Sequence, residues 1–254
     1  MWPRPGLNIQ IKTPAQIRVM REAGLVVART LRTVVSAVEP GVTTAQLDAL
    51  AEREIRAAGA TASFKGYHGY PATICTSVND EIVHGIPSPS RRLRDGDIIS
   101  IDCGAIVDGW HGDAAISVGV AEIDEADEAL LDACEAALWR GIAQAVPGHR
   151  LSDISHAVEE AVRGSGEYGL IREYTGHGIG TAMHMEPAVP NYGPPGHGPR
   201  LRAGMALAIE PMITRGGITL PSIKPVPLIS SASPTMAGSS EETSWCVEAC
   251  RVAA

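Results

Sequence analysis

The same succession of helix signals occurs twice in this sequence, about 107 positions apart. In the first copy, Thr13-Pro14-Ala15-Gln16 predicts a helix start: Thr is a good N-cap, Pro suits the first helical position, and Gln can bond back to the cap. Apolar residues recur every three or four positions as far as Val38, which predicts an amphipathic helix. Pro40-Gly41 ends this helix, and Thr43 or Thr44 begins a second one.

The second copy begins at Asp124, which predicts an N-cap, and its first helix ends at Pro147-Gly148. A further helix then ends near Gly164 or Gly166. When Pro147 is placed on Pro40, four more pairs of similar residues coincide: Leu47 with Ile154, Glu52 with Glu159, Ile55 with Val162, and Arg56 with Arg163. Coincident caps and ends favour an internal duplication over chance, so we expect a fold built from two similar halves.

Strand-like runs follow each helix pair, at residues 72–78, 97–120 and 205–213. Because the helices come in pairs and the strands in runs, the pattern predicts an α+β fold with an antiparallel sheet. We expect a curved sheet with helices on its outer face and the functional site on its inner face. A chain of 254 residues that is 44% hydrophobic can bury one sizeable core, so one domain is expected.

Composition excludes several classes of partner. A net charge of −8 argues against nucleic acid or an anionic membrane as the main partner. The five cysteines are odd in number and have no regular spacing, which favours a reducing compartment over a disulfide-stapled fold. The N-terminus has no signal-peptide pattern, and the apolar stretches fall short of the roughly 18 residues that a membrane span needs. We therefore expect a soluble, cytoplasmic monomer.

Two aspartates are placed together by a predicted hairpin. Asp108-Gly109 is a typical two-residue loop, and with that loop Gly104 lies opposite Asp113. Asp102 and Asp113 then project from the same face as diagonal neighbours, roughly 7–8 Å apart at the backbone. A single Asp at a strand edge is ordinarily solvated, but Asp102 follows a buried-type apolar run, where an unpaired charge is costly. The pair is therefore predicted to hold one or two metal ions.

Glu210 and His177 extend this set of candidate ligands. Glu210 ends the apolar run at residues 206–209, where a carboxylate should be paired or bound to a metal. His177 lies in a Gly-rich turn that lets the backbone approach a ligand closely. A set rich in oxygen with one imidazole suits Mn, Fe(II), Co or Zn better than a structural zinc site of Cys type. His84 and His184 are weaker candidates when taken singly, because a single His near Gly is more often an ordinary loop residue.

Taken together and in order, these motifs closely resemble the type I methionine aminopeptidases of bacteria. The resemblance runs from about Ile11 to Thr214, so residues 1–214 are expected to form the catalytic domain. It implies the pita-bread, or creatinase-like, fold, which is itself built on two similar halves. The matching segments are Gly66-Tyr67-His68-Gly69-Tyr70-Pro71, Val83-His84-Gly85-Ile86-Pro87, the Asp102 and Asp113 motifs, Gly176-His177-Gly178-Ile179-Gly180 and Ile209-Glu210-Pro211-Met212.

The resemblance implies metal-dependent removal of the N-terminal methionine from nascent proteins and peptides. Asp102 would chelate one of two divalent ions (Co, Mn, Fe or Zn), Asp113 would bridge both, and His177 and Glu210 would hold the other. A metal-bound hydroxide would attack the scissile carbonyl, and the ions would stabilise the resulting oxyanion.

The same resemblance implies the roles of the remaining site residues. His84 and His184 would be catalytic and contact the substrate, His184 at the scissile carbonyl and His84 at the peptide nitrogen. The methionine side chain would lie in a pocket lined by Tyr67, Tyr70, Cys75 and Met183. The partners would be the N-termini of nascent peptides; a ribosome contact is left open. Two alternatives remain: a proline-directed (X-Pro) peptidase of the same fold, and a non-catalytic or degenerate copy acting as a binding protein.

The C-terminal part of the chain departs from the family pattern. The family has a last strand close to Glu-His-Thr, whose glutamate bridges both metals; the family interval of 31 residues from Glu210 leads to Glu241. However, residues 221–240 are rich in Pro and Ser without alternation, and residues 244–254 lack the pattern of an apolar strand. Residues 215–254 are therefore predicted to be an irregular tail. Glu241 is interpreted either as a fifth metal ligand or as a solvated tail residue.

Overall fold

Two helix pairs, each packed on strands of its own half, dominate the computed structural model, which describes residues 8–215, 246–248 and 251–253. Thr13 caps the first helix and Thr43 the second, each in a capping box with the Gln three residues later. Asp124 caps the third helix, as predicted. None of the helices in this described part combines the length and the apolar character that crossing a membrane requires. The helices are α1 (Pro14–Val35), α2 (Thr44–Ala57), α3 (Glu125–Ala143) and α4 (Leu151–Ser165).

The strands pair antiparallel throughout the described residues, which confirms the predicted α+β class. In the first half, β3 is paired with β1, β2 and β4; in the second half, β9 joins β5 and β10, and β8 joins β6 and β11, with β7 beyond β6. The strands are β1 (Thr61–Ala62), β2 (Ile74–Val78), β3 (Ile98–Val107), β4 (Trp110–Gly119), β5 (Tyr168–Leu170), β6 (Gly176–Gly178), β7 (Met185–Val189), β8 (Leu207–Ile209), β9 (Met212–Arg215), β10 (Cys246–Glu248) and β11 (Arg251–Ala253).

The packing of the core reflects the duplication. Leu47 and Ile55 of α2 are buried in one apolar cluster with β2 and β3. Their predicted counterparts in α4, Ile154 and Val162, are buried in a second cluster with β8 and β9. Each helix pair covers strands of its own half, so two main apolar clusters form among the described residues.

The predicted hairpin of β3 and β4 is confirmed in detail. Asp108 and Gly109 form its loop, with φ of 47° and 79°, a left-handed conformation that Asp tolerates and Gly adopts freely. Gly104 lies directly opposite Asp113, and Asp102 lies opposite Ala115. The two aspartates are therefore diagonal neighbours on one face.

Two short strands lie within the segment that was predicted to be irregular. Cys246–Glu248 pairs with β9 and Arg251–Ala253 pairs with β8, so the expectation that residues 244–254 contain no strand is wrong for these six positions. The reason is that a neighbouring strand with unpaired backbone groups accepts a partner whatever its side-chain pattern. Glu241 lies outside the described residues, and the boundary at residue 214 stays a prediction.

Candidate metal and substrate site

Three of the predicted metal ligands come together at the seam between the halves. Asp113 comes from β4 of the first half, whereas His177 on β6 and Glu210 after β8 come from the second. One ligand atom of each lies within 4.8 Å of the other two, and all three residues are buried. His177 Nε2 lies 3.2 Å from Glu210 Oε1 and 3.6 Å from Asp113 Oδ2. The imidazole therefore presents one nitrogen to two carboxylates.

The glycines on either side of His177 allow β6 to lie between β7 and β8. A Cβ on Gly176 would lie 2.3 Å from the carbonyl oxygen of Ala208, and one on Gly178 would lie 2.3 Å from that of Glu186. His177 Nδ1 lies 3.0 Å from the carbonyl oxygen of Gly178 and can donate to it. This hydrogen bond leaves Nε2 for the carboxylates, as in metal-binding histidines whose second nitrogen is anchored by the protein.

The two buried carboxylates of this cluster favour the binding of a cation. Burial alone would lower the pKa of His177, but hydrogen bonds and charge from Asp113 and Glu210 raise the pKa to about 10. Without a metal, the imidazole is therefore protonated and offsets two buried carboxylates. A divalent ion would supply that positive charge, and two carboxylates with an imidazole are a donor set that Mn, Fe, Co or Zn accepts. The residues present fit a metal.

Asp102 lies beside this cluster on the same face but is not part of the group within 4.8 Å. Its position follows from register: Asp102 is directly opposite Ala115 in the hairpin, and His177 is directly opposite Ala208. Ala115 and Ala208 pack against each other across the seam. The two small residues let the two halves approach closely, and they bring the Asp102 position toward that of His177.

His184 stands against the cluster from one side. Its ring centroid lies 4.4 Å from that of His177, in an edge-to-face arrangement. Burial and the neighbouring charge on His177 lower the pKa of His184 to about 4, so this imidazole is neutral at neutral pH. A neutral imidazole has one N–H donor and one acceptor nitrogen, which suits a hydrogen bond to a peptide group.

His84 approaches the cluster from the loop after β2. It adopts a left-handed φ of 61°, and its ring stands at 90° to that of Tyr174, 5.8 Å between centroids. Burial lowers the pKa of His84, and the negative charges of Glu210 and Asp113 oppose that shift only in part. The pKa values of both predicted substrate histidines are thus lowered by burial, and the charge of Asp113 acts on both.

An apolar pocket wall lies next to the ligands. Tyr67, Tyr70, Cys75 and Met183, the four predicted pocket residues, belong to one cluster. Cys75 is directly opposite Asp102 in the register of β2 and β3, which joins this wall to the metal-binding face. Phe64 is the fifth member and was missed by sequence reasoning. Its one signal was composition, since it is the single Phe of the chain.

The known proteins that this chain resembles agree with the geometry of the site. The sequence pattern of Metallopeptidase family M24 matches residues 18–228. The chain belongs to metallopeptidase family M24. Its M24 relatives include methionine aminopeptidase 1 of Mycobacterium tuberculosis, 48% identical over 239 residues (92% of this chain and 88% of the relative). The methionine aminopeptidase of Clostridium acetobutylicum is 52% identical over 208 residues (82% and 83%).

A solved structure supports the fold of this M24 chain. The crystal structure of methionine aminopeptidase from Thermotoga maritima matches with a TM-score of 0.86 at 37% identity, covering 96% of this chain and 94% of that one. The pita-bread fold predicted from the resemblance is therefore confirmed.

Strand β10 brings the C-terminal part of this M24 chain next to strands of both halves. The backbone of Glu248 is paired opposite that of Met212 on β9. Strand β10 also lies next to β4, the strand of Asp113. Sequence reasoning missed β10 because residues 244–254 lack the alternating pattern of an apolar strand.

Proposed function

We propose that this protein is a methionine aminopeptidase, which removes the N-terminal methionine from peptides and nascent proteins by metal-dependent hydrolysis. The observation that carries the proposal is the junction of Asp113, His177 and Glu210 with an apolar pocket wall. Relatives that are about half identical to this chain over most of its length carry the same enzyme name.

Asp102, Asp113, His177 and Glu210 would hold the divalent ions, and Asp113 would serve as the ligand that two ions share. Bound divalent ions would lower the pKa of water and stabilise negative charge on the carbonyl oxygen of the peptide. The native metal is one of Co, Mn, Fe or Zn. Removal of metal by a chelator should abolish turnover, and metal content of the purified protein identifies the ion.

The two histidines and the pocket supply the rest of the mechanism. His184 donates a hydrogen bond to the oxygen of the scissile carbonyl, and His84 contacts the peptide nitrogen. The apolar surfaces of Phe64, Cys75 and Met183 exclude water from the methionine side chain, and a thioether packs well against such a wall. Burial lowers the pKa of both histidines, which favours their role as hydrogen-bond partners over a role as positive charges.

Glu241 and Glu248 are competing candidates for a fifth ligand. We favour Glu248, because its backbone is paired opposite Met212, two positions after Glu210, and because its strand also lies next to β4. Glu248→Gln should lower the number of ions bound per chain, measured by elemental analysis and calorimetric titration, while Glu241→Gln leaves it unchanged. The reverse result would restore Glu241. Loss in neither variant would mean that four ligands suffice.

The activity is tested with short peptides and each metal in turn. Release of methionine from a Met-Ala peptide in the presence of Co(II), Mn(II), Fe(II) or Zn(II) is the expected result. Cleavage of an X-Pro peptide instead would establish the proline-directed alternative. Tight binding of two ions without any hydrolysis would favour a non-catalytic copy of the fold, and failure to release methionine with every metal would refute the proposal.

We place the enzyme in the cytoplasm, acting as a monomer on nascent chains. The odd number of cysteines without regular spacing, and the burial of Cys75, Cys103 and Cys134, support a reducing compartment. Co-sedimentation with translating ribosomes tests whether the protein meets its substrate there. Sedimentation equilibrium tests the monomer.

A further inference from the structure

Tyr67 contributes more to the site than an apolar wall. Its hydroxyl oxygen lies 2.9 Å from Nδ1 of His184, a residue 117 positions further along the chain. The backbone of Tyr67 is fixed in a short 3₁₀ turn: its N–H donates to the Phe64 carbonyl at 2.9 Å, and its own carbonyl accepts from Tyr70 N–H at 2.9 Å. These two backbone hydrogen bonds fix the position of Tyr67, and with it the contact of its hydroxyl with His184.

The hydroxyl of the neighbouring Tyr70 is committed elsewhere. It lies 3.0 Å from the carbonyl oxygens of both Ile74 and Gly85. Carbonyl oxygens only accept, so Tyr70 must donate to them, and this bond secures the backbone of the pocket. Of the two tyrosines in the pocket wall, Tyr67 is thus the one whose hydroxyl contacts a histidine of the site.

The direction of the Tyr67 hydrogen bond decides what the other nitrogen of His184 can do. A neutral imidazole carries its proton on one nitrogen. If Tyr67 donates to Nδ1, the proton is on Nε2, which can then donate to a carbonyl oxygen. If Tyr67 accepts from Nδ1, Nε2 has a lone pair and would compete for a metal ion. Among the residues that the structure describes, Nε2 of His184 has no hydrogen-bond partner, so it is left for the substrate.

We propose that Tyr67 is a positioning residue: it donates its hydroxyl proton to Nδ1 of His184 and holds that ring as the Nε2–H tautomer. The proposal rests on the proposed aminopeptidase function, because the carbonyl that receives the Nε2–H is that of the scissile peptide. It assigns the phenol a task that a phenylalanine in the same pocket wall would not perform. In contrast, the packing of the ring beside Phe64 and Met183 would be the same for Tyr and for Phe at position 67.

The test uses Tyr67→Phe, which keeps the ring in the apolar cluster and removes one oxygen. The tautomer of His184 is read from ¹⁵N shifts of histidine-labelled, Zn(II)-loaded protein, with His184→Gln to assign the signal. In the unmodified protein we expect protonated Nε2 and unprotonated Nδ1; in Tyr67→Phe we expect a mixture of tautomers. Turnover of a Met-Ala peptide should fall about tenfold with little change in KM, since misplacing a donor affects the transition state most.

Two matched variants separate this role from a structural one. Tyr70→Phe removes the other pocket hydroxyl and should leave the His184 tautomer unchanged. Tyr168 is partly buried against the core of the second half, so Tyr168→Phe should leave both tautomer and turnover unchanged. A protonated Nδ1 in the unmodified protein would overturn the proposal. So would a Tyr67→Phe variant with unchanged tautomer, or one that raises KM alone. Because the NMR measurement needs no turnover, it decides the proposal even if the chain proves inactive.

Discussion

Helix α1 and strand β4 are in close contact, with Gly24 on the helix and Gly112 on the strand. We expect replacement by Ala to lower the stability of the protein at Gly112 and to raise it at Gly24. A Cβ on Gly112 would lie 2.6 Å from the backbone nitrogen of Gly24 and 2.7 Å from the carbonyl carbon of Ala23. Carbon atoms in contact prefer about 3.5–4.0 Å, so α1 would have to move by roughly 1 Å. Backbone atoms of a helix cannot rotate aside as a side chain can. In Gly112→Ala, therefore, the helix and the strand separate.

The size of the effect follows from overpacking. Forcing atoms into a filled contact costs about 1–3 kcal/mol, and the gain of Ala over Gly in a strand offsets about 0.5–1 kcal/mol. Because all three clashing atoms belong to helix backbone, we expect a net loss of about 2 kcal/mol in the free energy of unfolding. For a chain of this size that lowers Tm by about 4–8 °C. Metal content should also fall, because Asp113 is the next residue.

The control is Gly24→Ala, on the opposite side of the same contact. No heavy atom lies within 4 Å of a Cβ placed there, and the residue is inside α1, so the substitution should stabilise by about 0.5–1 kcal/mol. Both variants are compared by urea unfolding of metal-free protein, followed by circular dichroism. Equal stability of Gly112→Ala and the unmodified chain would refute the close approach of α1 to β4.

Three further predictions concern single charges. Asp113→Asn should lower turnover by orders of magnitude and reduce the bound metal, while the circular dichroism spectrum stays unchanged. Turnover equal to that of the unmodified protein would rule out Asp113 as a ligand. Burial lowers the pKa of Lys12 from 10.5 to about 8, so the unfolded chain binds the extra proton between these values. Stability should rise with pH across this window, and Lys12→Met should lack that rise when urea midpoints are compared. Arg215 forms ion pairs with the buried Asp127 and with Asp124. Arg215→Met leaves Asp127 without that partner, so the free energy of unfolding measured in urea should fall by about 1–3 kcal/mol. Adding Asp127→Asn should recover part of this loss of stability.

Local signals in the sequence were sufficient for part of the fold. The capping box of Thr13 and Gln16 lies within four residues, and together with Pro14 it was enough to predict the helix start. The loop Asp108-Gly109 sets the register of the hairpin, so the position of Asp113 opposite Gly104 followed from counting. In both cases the interaction that decides the structure is local, and the residue types at a few adjacent positions are enough to specify it.

Other features depend on partners that are distant in the sequence. The three-residue strand Gly176–Gly178 has no alternating pattern, and it exists because β7 and β8 lie on either side of it. The β10 strand was missed for the same reason. The hydrogen bond between Tyr67 and His184 joins residues 117 positions apart, and no property of either segment indicates it. Residue type and an apolar strand setting suggested one site for Asp113 and Glu210, but their meeting depends on how the two halves pack, which neither segment indicates.

Ala115 and Ala208, which touch at the seam, tie the stability of the fold to the geometry of the ligands. Each lies directly opposite a proposed ligand, Asp102 or His177. A valine at either position would add volume to a buried contact and would hold the two halves apart. The spacing of the ligands would widen at the same time. A screen for stability alone should therefore retain small residues at both positions, and with them the spacing that the metal requires.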